Sequence, residues 1–265
     1  MSIPKFGSLT NPRVEILKEI KRIKNTKFDF VEIGIEWPEG SVEVLDAKKE
    51  KILNFLEKNN FPAIAHTAWW MEFGSPYEEI RKFWVKLAKE KISVAKKLKI
   101  ELINFHAYTR QSAAYKKYER KIVLNFIRSM DELVEFAKNK NMRVMLENGG
   151  EDNMINFHNF SAIINSVKGL NVHLDVGHAF IYGGMQNIHR YILTFKDKIV
   201  HIHLHDNHGE SDEHLPIGSG FINHRNVVAW LKQIGYDKTV TFEVFTSEKD
   251  LLKSRELIQK LWNKP

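Results

Sequence analysis

Two hydrophobic periods take turns along this chain. Short runs such as FDFVEIGI, Phe28 to Ile35, are dense in β-branched and aromatic residues, the mark of buried strands. Between them, stretches such as EKISVAKKLK space apolar residues three and four apart, which gives a helix one apolar face. The pattern predicts strands at Ile3 to Ser8, Phe28 to Ile35, Ala63 to Thr67, Glu101 to Ala107, Arg143 to Asn148, Asn171 to Val176, Ile199 to Asp206 and Thr239 to Val244. It predicts helices near Arg13 to Lys24, Ala47 to Lys58, Tyr77 to Leu98, a long one ending near Asn139, then Asn156 to Val167, Met185 to Phe195, Arg225 to Ile234 and Glu248 to Trp262. Asn11 is read as the N-cap of the first helix, with Pro12 at its first position. Strict alternation of eight strands and eight helices, with no linker between them, spells a (β/α)8 TIM barrel, expected as one domain over residues 1–265.

That count gives the polar residues an address. Active groups of such barrels sit where strands end, at the face built by the βα loops. Read to their ends, six strands offer His66, His106, Glu147, Asp175, His203 and Glu243. Alternation supports the placement, because Val144 and Leu146 fall on the opposite face from Met145 and Glu147. Three more candidates lie just beyond: His178, three residues after Asp175 across a glycine, and the pair Asp212 and His214. All nine residue types are transition-metal ligands, and nine donors exceed the four of one zinc but suit three ions with bridging carboxylates.

The densest stretch is VHIHLHDNHGESDEHLPIGSG, Val200 to Gly220. Alternation there predicts His201, His203 and His205 on one face and Val200, Ile202 and Leu204 on the other. Three histidines on a short strand need partners, since each neutral ring carries a donor and an acceptor. His173 and His201 are read as hydrogen-bonded groups deeper in the barrel; His158, His189 and His224 are read as surface residues.

Composition narrows the chemistry. The chain has no cysteine, so any metal must be held by His, Asp and Glu. Lys and Arg number 40 against 33 Asp and Glu, a balance of +7, most of it on solvated helix faces and only weakly suggestive of a polyanionic partner. No signal peptide or membrane-length apolar run is seen, which leads us to expect a soluble, cytoplasmic protein; no protein partner is inferred.

With those residues in hand, the chain resembles the endonuclease IV family (AP endonuclease family 2) and its xylose isomerase-like relatives, which include sugar epimerases and isomerases. The likeness runs through HTAWWMEFGSP, NFHA, LEN, LDVGHAF, HLHD, DEHLPIGSG and Glu243. It implies one metal on His66, His106 and Glu147, a second on Glu147, Asp175, His203 and Glu243, and a third on His178, Asp212 and His214. In the nuclease branch such a zinc cluster, with manganese as an alternative ion, hydrolyses phosphodiesters at abasic or damaged DNA sites. The isomerase branch keeps one metal on the quartet and acts on sugars or sugar phosphates, with carboxylates like Glu147 and Glu243 moving a proton beside a carbonyl. The joint presence of all nine donors points to the nuclease, with Glu147 and Glu243 as catalytic residues. The loop after strand two, EWPEG, is short and acidic, unlike the long basic loop of that branch. Trp69, Trp70, His205 and Arg110 are the candidate substrate contacts, the tryptophans by stacking on a base or sugar and the arginine by binding phosphate.

Overall fold

Eight parallel strands, paired in chain order, close into a barrel whose last strand bonds to its first. The computed structural model describes residues 2–109 and 113–264. The strands are β1 (Lys5–Leu9), β2 (Phe30–Ile35), β3 (Ala63–Thr67), β4 (Leu102–His106), β5 (Arg143–Glu147), β6 (Asn171–Asp175), β7 (Ile199–Leu204) and β8 (Thr239–Phe242). Between and after them run α1 (Ile16–Asn25), α2 (Val42–Lys58), α3 (Glu78–Lys97), α4 (Glu119–Lys138), α5 (Phe157–Ser166), α6 (Val176–Phe180), α7 (Gly184–Phe195), α8 (His224–Gln233) and α9 (Glu248–Asn263), with a 3-10 helix, Ala113–Tyr118, before α4.

Helix faces follow the spacing that predicted them. Along α4, Ile122, Phe126, Met130, Leu133 and Ala137 are buried at steps of three and four. They pack on the outward aliphatic residues of the strands, Val144 and Leu146 among them, in one continuous ring-shaped core. Inside the barrel a second, small cluster of Phe30, Ile64, Leu102, Met145 and Val200 plugs the floor. Because that plug is apolar and closed, polar groups projecting inward above it have only the mouth to face.

Some local expectations fail: α2 begins at Val42 instead of Ala47, α6 was not expected, and two further failures have a visible cause. Helix α1 starts at Ile16, not Arg13: Asn11 Oδ1 accepts from Arg13 N (2.9 Å) and Val14 N bonds to Asn11 O (3.1 Å), so residues 11–14 spend their backbone groups on a turn. The cap is Glu15, whose carboxylate accepts from Lys18 N at 2.7 Å. The second failure is at β7. Register shifts between β6 and β7, with Val172 opposite Ile199 but His173 opposite His201, so Val200 is an extra residue. This bulge turns Val200 into the floor beside His201, where strict alternation predicted it facing the helices. Among the described residues, no helix is long and apolar enough to cross a membrane.

Candidate metal centre

Strand ends bring His66, His106, Glu147, Asp175, His203 and Glu243 to the mouth of the barrel, and α6 and the loop after β7 bring His178, Asp212 and His214 there. At its centre lies the Nδ1 of His203, fully buried and without a hydrogen-bond partner. Three carboxylates surround it: Glu243 Oε2 at 3.2 Å, Asp175 Oδ2 at 3.7 Å and Glu147 Oε1 at 3.8 Å. Glu147 then reaches a second group through its other oxygen, Oε2, which is 3.1 Å from His106 Nε2 and 3.7 Å from His66 Nε2. An outer group forms around Asp212, whose Oδ2 is 2.9 Å from His214 Nε2 and 3.2 Å from His178 Nε2. Glu147 thus stands between two niches, one oxygen toward each, as a bridging carboxylate must.

These residues fit metal ions by a test the structure itself supplies. Burying a charge or a polar atom unpaired is costly, so a fold tolerates it where a partner is meant to bind. His66 Nδ1 and Nε2, His106 Nδ1, Asp175 Oδ2, His203 Nδ1 and His205 Nε2 are buried without hydrogen-bond partners. Imidazole and carboxylate donors in this mixture suit zinc or manganese. Groups that can each hold an ion include His66 with His106 and Glu147, Asp175 with His178 and His205, and His205 with Asp212 and His214.

Outer hydrogen bonds aim the rings. His178 Nδ1 donates to Asn148 O (3.0 Å) and His214 Nδ1 to Glu243 O (3.2 Å), which leaves both Nε2 atoms free to bind. His203 is held the other way round, Nε2 donating to Glu32 Oε2 at 3.0 Å. Glu32 also accepts from His201 Nε2 at 3.1 Å, and His201 Nδ1 meets Thr239 Oγ1 at 2.8 Å. His173 Nδ1 lies 3.2 Å from Glu147 Oε2, and Asn104 Nδ2 donates to the same oxygen at 2.6 Å. The layer below the mouth is therefore a polar bed for the donors, and His173 and His201 belong to it as expected. Residue His214 itself sits at φ +48, a left-handed backbone that costs a non-glycine residue about 1 kcal/mol or more.

Electrostatics follow from that packing. Burial pushes the Glu147 carboxyl up, but His106, His173 and His203 outweigh it and hold Glu147 well below its ordinary range. Burial likewise opposes the charge of Asp175, Asp212 and Glu243, and neighbouring imidazoles hold all three down and ionised. Burial and the charge of His203 hold His173 neutral, down to about 3. His214 goes the other way: burial lowers it, Asp212 and Glu243 overcome that, and the ring is raised to about 9.

Sequence reasoning misplaced several residues and missed one. Glu32, read from its place at the end of strand two only as a possible substrate contact, was missed as the partner of His201 and His203; its signal was an acid inside the apolar run FDFVEIGI, which no strand buried on both faces carries without a partner. His205, expected to contact substrate or fill the loop, is fully buried, its Nε2 3.2 Å from Asp175 and 3.5 Å from Asp212. Trp69 does line the cavity, edge-on to Tyr108 at 4.8 Å, but Trp70 packs on Trp84 at 5.3 Å and is not part of its wall. His224 is buried, its ring between Ile222 O and His205 O, and is no surface residue. Asp206 ties the loop together by accepting from Asn207, Gly218 and Ile222 backbone amides. Arg110 lies outside the described residues.

Above the donors opens a cavity of about 1120 Å³. Among the described residues its wall carries Glu19, Glu36, Asp152, Glu210 and Glu248 against Arg13 and Arg22, so apart from the donors their charge leans acidic.

Comparison with known proteins gives this architecture its relatives. Residues 20–261 match the family model described as xylose isomerase-like TIM barrel. A probable endonuclease 4 of Aquifex aeolicus is 28% identical over 269 residues, 92% of each chain. An uncharacterised protein of Methanocaldococcus jannaschii is 33% identical over 175 residues, 65% of this chain and 66% of that one. Among solved structures, a D-tagatose 3-epimerase-like protein superposes with a TM-score of 0.81 at 25% identity, covering 97% of this chain and 96% of the other.

Proposed function

The chain belongs to the xylose isomerase-like TIM barrel family, and from that premise we propose that it is a metal-dependent enzyme hydrolysing a phosphodiester, with DNA at abasic or damaged sites as its substrate. One observation carries the reading: three donor niches, two of them joined through Glu147, open into one cavity. A single-metal isomerase has no use for His66, His106, His178, Asp212 and His214 together. The relative named as a probable endonuclease 4 supports the same branch.

His66, His106 and Glu147 would hold one ion, Glu147, Asp175, His203 and Glu243 a second, and His178, Asp212 and His214 a third, zinc or in part manganese. Bound there, the two ions that share Glu147 would supply Lewis acidity to the phosphoryl oxygens and charge stabilisation to the departing alkoxide. Glu147 and Glu243, ionised at neutral pH, orient the attacking water and accept its proton as the new oxygen to phosphorus bond forms and the bond to the leaving oxygen breaks. Asn104 and His173 fix the Glu147 carboxylate, and Glu32 fixes His203, so that neither reorganises during the reaction. Trp69 at the wall offers a stacking surface for an extruded base or sugar.

The acidic rim favours a second reading. Glu36, Asp152, Glu210 and Glu248 repel a polyanion, and a neutral sugar meets no such barrier. Under that reading the chain is a sugar or sugar-phosphate epimerase or isomerase, with Glu147 and Glu243 moving the proton from opposite sides of a carbon next to a carbonyl; the epimerase-like structural neighbour agrees with it. Incision of a labelled duplex bearing one abasic site, with zinc and manganese supplied separately, separates the two. Cutting by the wild-type chain and not by Glu147→Gln is the expected result. Intact duplex under both metals, from folded and metal-loaded protein, rejects the nuclease and sends the chain to a ketose screen.

A further inference from the structure

His205 was not among the nine donors, and its surroundings are those of a ligand. The ring is fully buried, yet its Nε2 has no hydrogen-bond partner and points between Asp175 Oδ1 (3.2 Å) and Asp212 Oδ1 (3.5 Å). Its Nδ1 faces a backbone carbonyl, Asp206 O at 3.4 Å. That arrangement repeats at His178 and His214, whose Nδ1 atoms face Asn148 O and Glu243 O. Three imidazoles around Asp212 thus have their Nδ1 committed to the backbone and their Nε2 turned to one spot. The ring of His205 also lies against that of His214, with centroids 4.4 Å apart.

The chain has been cut to fit this ring. A Cβ at Gly177 would fall 2.0 Å from His205 Cε1 and 2.2 Å from its Nε2, far inside any contact distance. Gly177 is the second residue of α6 and has no left-handed backbone angle to account for it. Its missing side chain is the space His205 occupies.

Building on the metal-centre reading above, we infer that His205 is a fourth ligand of the outer ion, with His178, Asp212 and His214. Four protein donors close a tetrahedral site, whereas a catalytic zinc keeps one position open for water or substrate. The outer ion is therefore a staple. It binds the start of α6 to the end of β7 and to the 205–220 loop, and it leaves the chemistry to the two inner groups that meet at Glu147.

Metal retention after dialysis, measured on zinc-loaded wild type, His205→Ala, His214→Ala and Gly177→Ala, tests this without reference to activity. His205→Ala should lose one ion per chain while retaining the others, with affinity at the outer site weakened at least as much as by loss of an orienting partner, about 10–100-fold. Cobalt(II) in the wild type should show the intense visible bands of four-coordination at that site, and His205→Ala should lack them. Gly177→Ala should lose the same ion, and in metal-free protein it should lower the melting temperature of the His205 chain but not of the His205→Ala chain. If His214→Ala sheds an ion and His205→Ala keeps it with an unchanged cobalt spectrum, the assignment of His205 is wrong and the three-metal reading stands. If neither variant sheds an ion, both fall. A Gly177→Ala penalty that ignores residue 205 overturns the packing argument by itself.

Discussion

The two ends of the barrel interior are built on opposite rules. At the floor, Phe30, Ile64, Leu102, Met145 and Val200 meet with nothing polar among them, and the cluster is satisfied by its own contacts. A few residues up the same strands, Glu32, His66, His106 and His203 are just as buried but leave nitrogen and oxygen atoms without partners. Apolar burial stabilises a fold by itself; polar burial of this kind costs stability until a partner fills it. The comparison teaches that β5 serves both ends at once, with Met145 in the apolar floor and, in the function proposed, Glu147 in the chemistry, two residues apart on one face.

Substitutions along β5 should break the comparison most visibly. Glu147→Gln removes the donor common to two niches, so turnover should fall by about 10³-fold or more, while the chelated protein should melt only somewhat lower than wild type, because a carboxylate that His106, His173 and His203 hold ionised is gone but the amide keeps its place. Steady-state kinetics beside calorimetry in chelator would check both halves. Met145→Ala should do the reverse. Emptying the floor should cost about 2–5 kcal/mol of stability, read from urea unfolding, with turnover at permissive temperature within a few-fold of wild type.

Glu32→Gln sharpens the boundary between the two ends. The amide keeps the shape but no longer fixes which nitrogen of His203 carries the proton, so affinity for the central ion should weaken about 10–100-fold, by isothermal titration, with little change in fold. An unchanged affinity would make Glu32 mere filling.

The smallest effect is on pH. In metal-free protein His214 is raised to about 9, so the folded chain holds more protons than the unfolded one from roughly pH 6.5 upward. Its contribution is complete below that and lost as pH climbs through 9. Wild type should therefore lose a few degrees of melting temperature relative to His214→Gln between pH 6 and 10, and an equal pH slope in both proteins would refute the assignment.

How much of this was legible beforehand follows from what each feature depends on. Strand and helix order is written in local hydrophobic periods, and six of the nine candidate donors lie at strand ends, so the order of elements and the gathering of those six at the mouth could be read from residues alone. What depended on contacts between distant segments could not. The bulge at Val200 arises from pairing with β6, and nothing in VHIHLH marks the break. Glu32 sits in a run that reads as core, and its two histidine partners lie about 170 residues away. His205 looked like a loop residue because Gly177, which makes its room, is remote in sequence. The turn at Asn11 misled for a different reason: Asn before Pro signals a turn and a helix start equally well.

Anomalous diffraction from a crystal of the zinc-loaded protein tests the central claim most directly. The account predicts three peaks per chain, one by His66 and His106, one by His203 among its carboxylates, and one within His178, His205, Asp212 and His214. A single peak at His203, with the other two niches occupied by nothing but hydrogen-bonded side chains, would contradict it and leave the one-metal epimerase as the reading of this barrel.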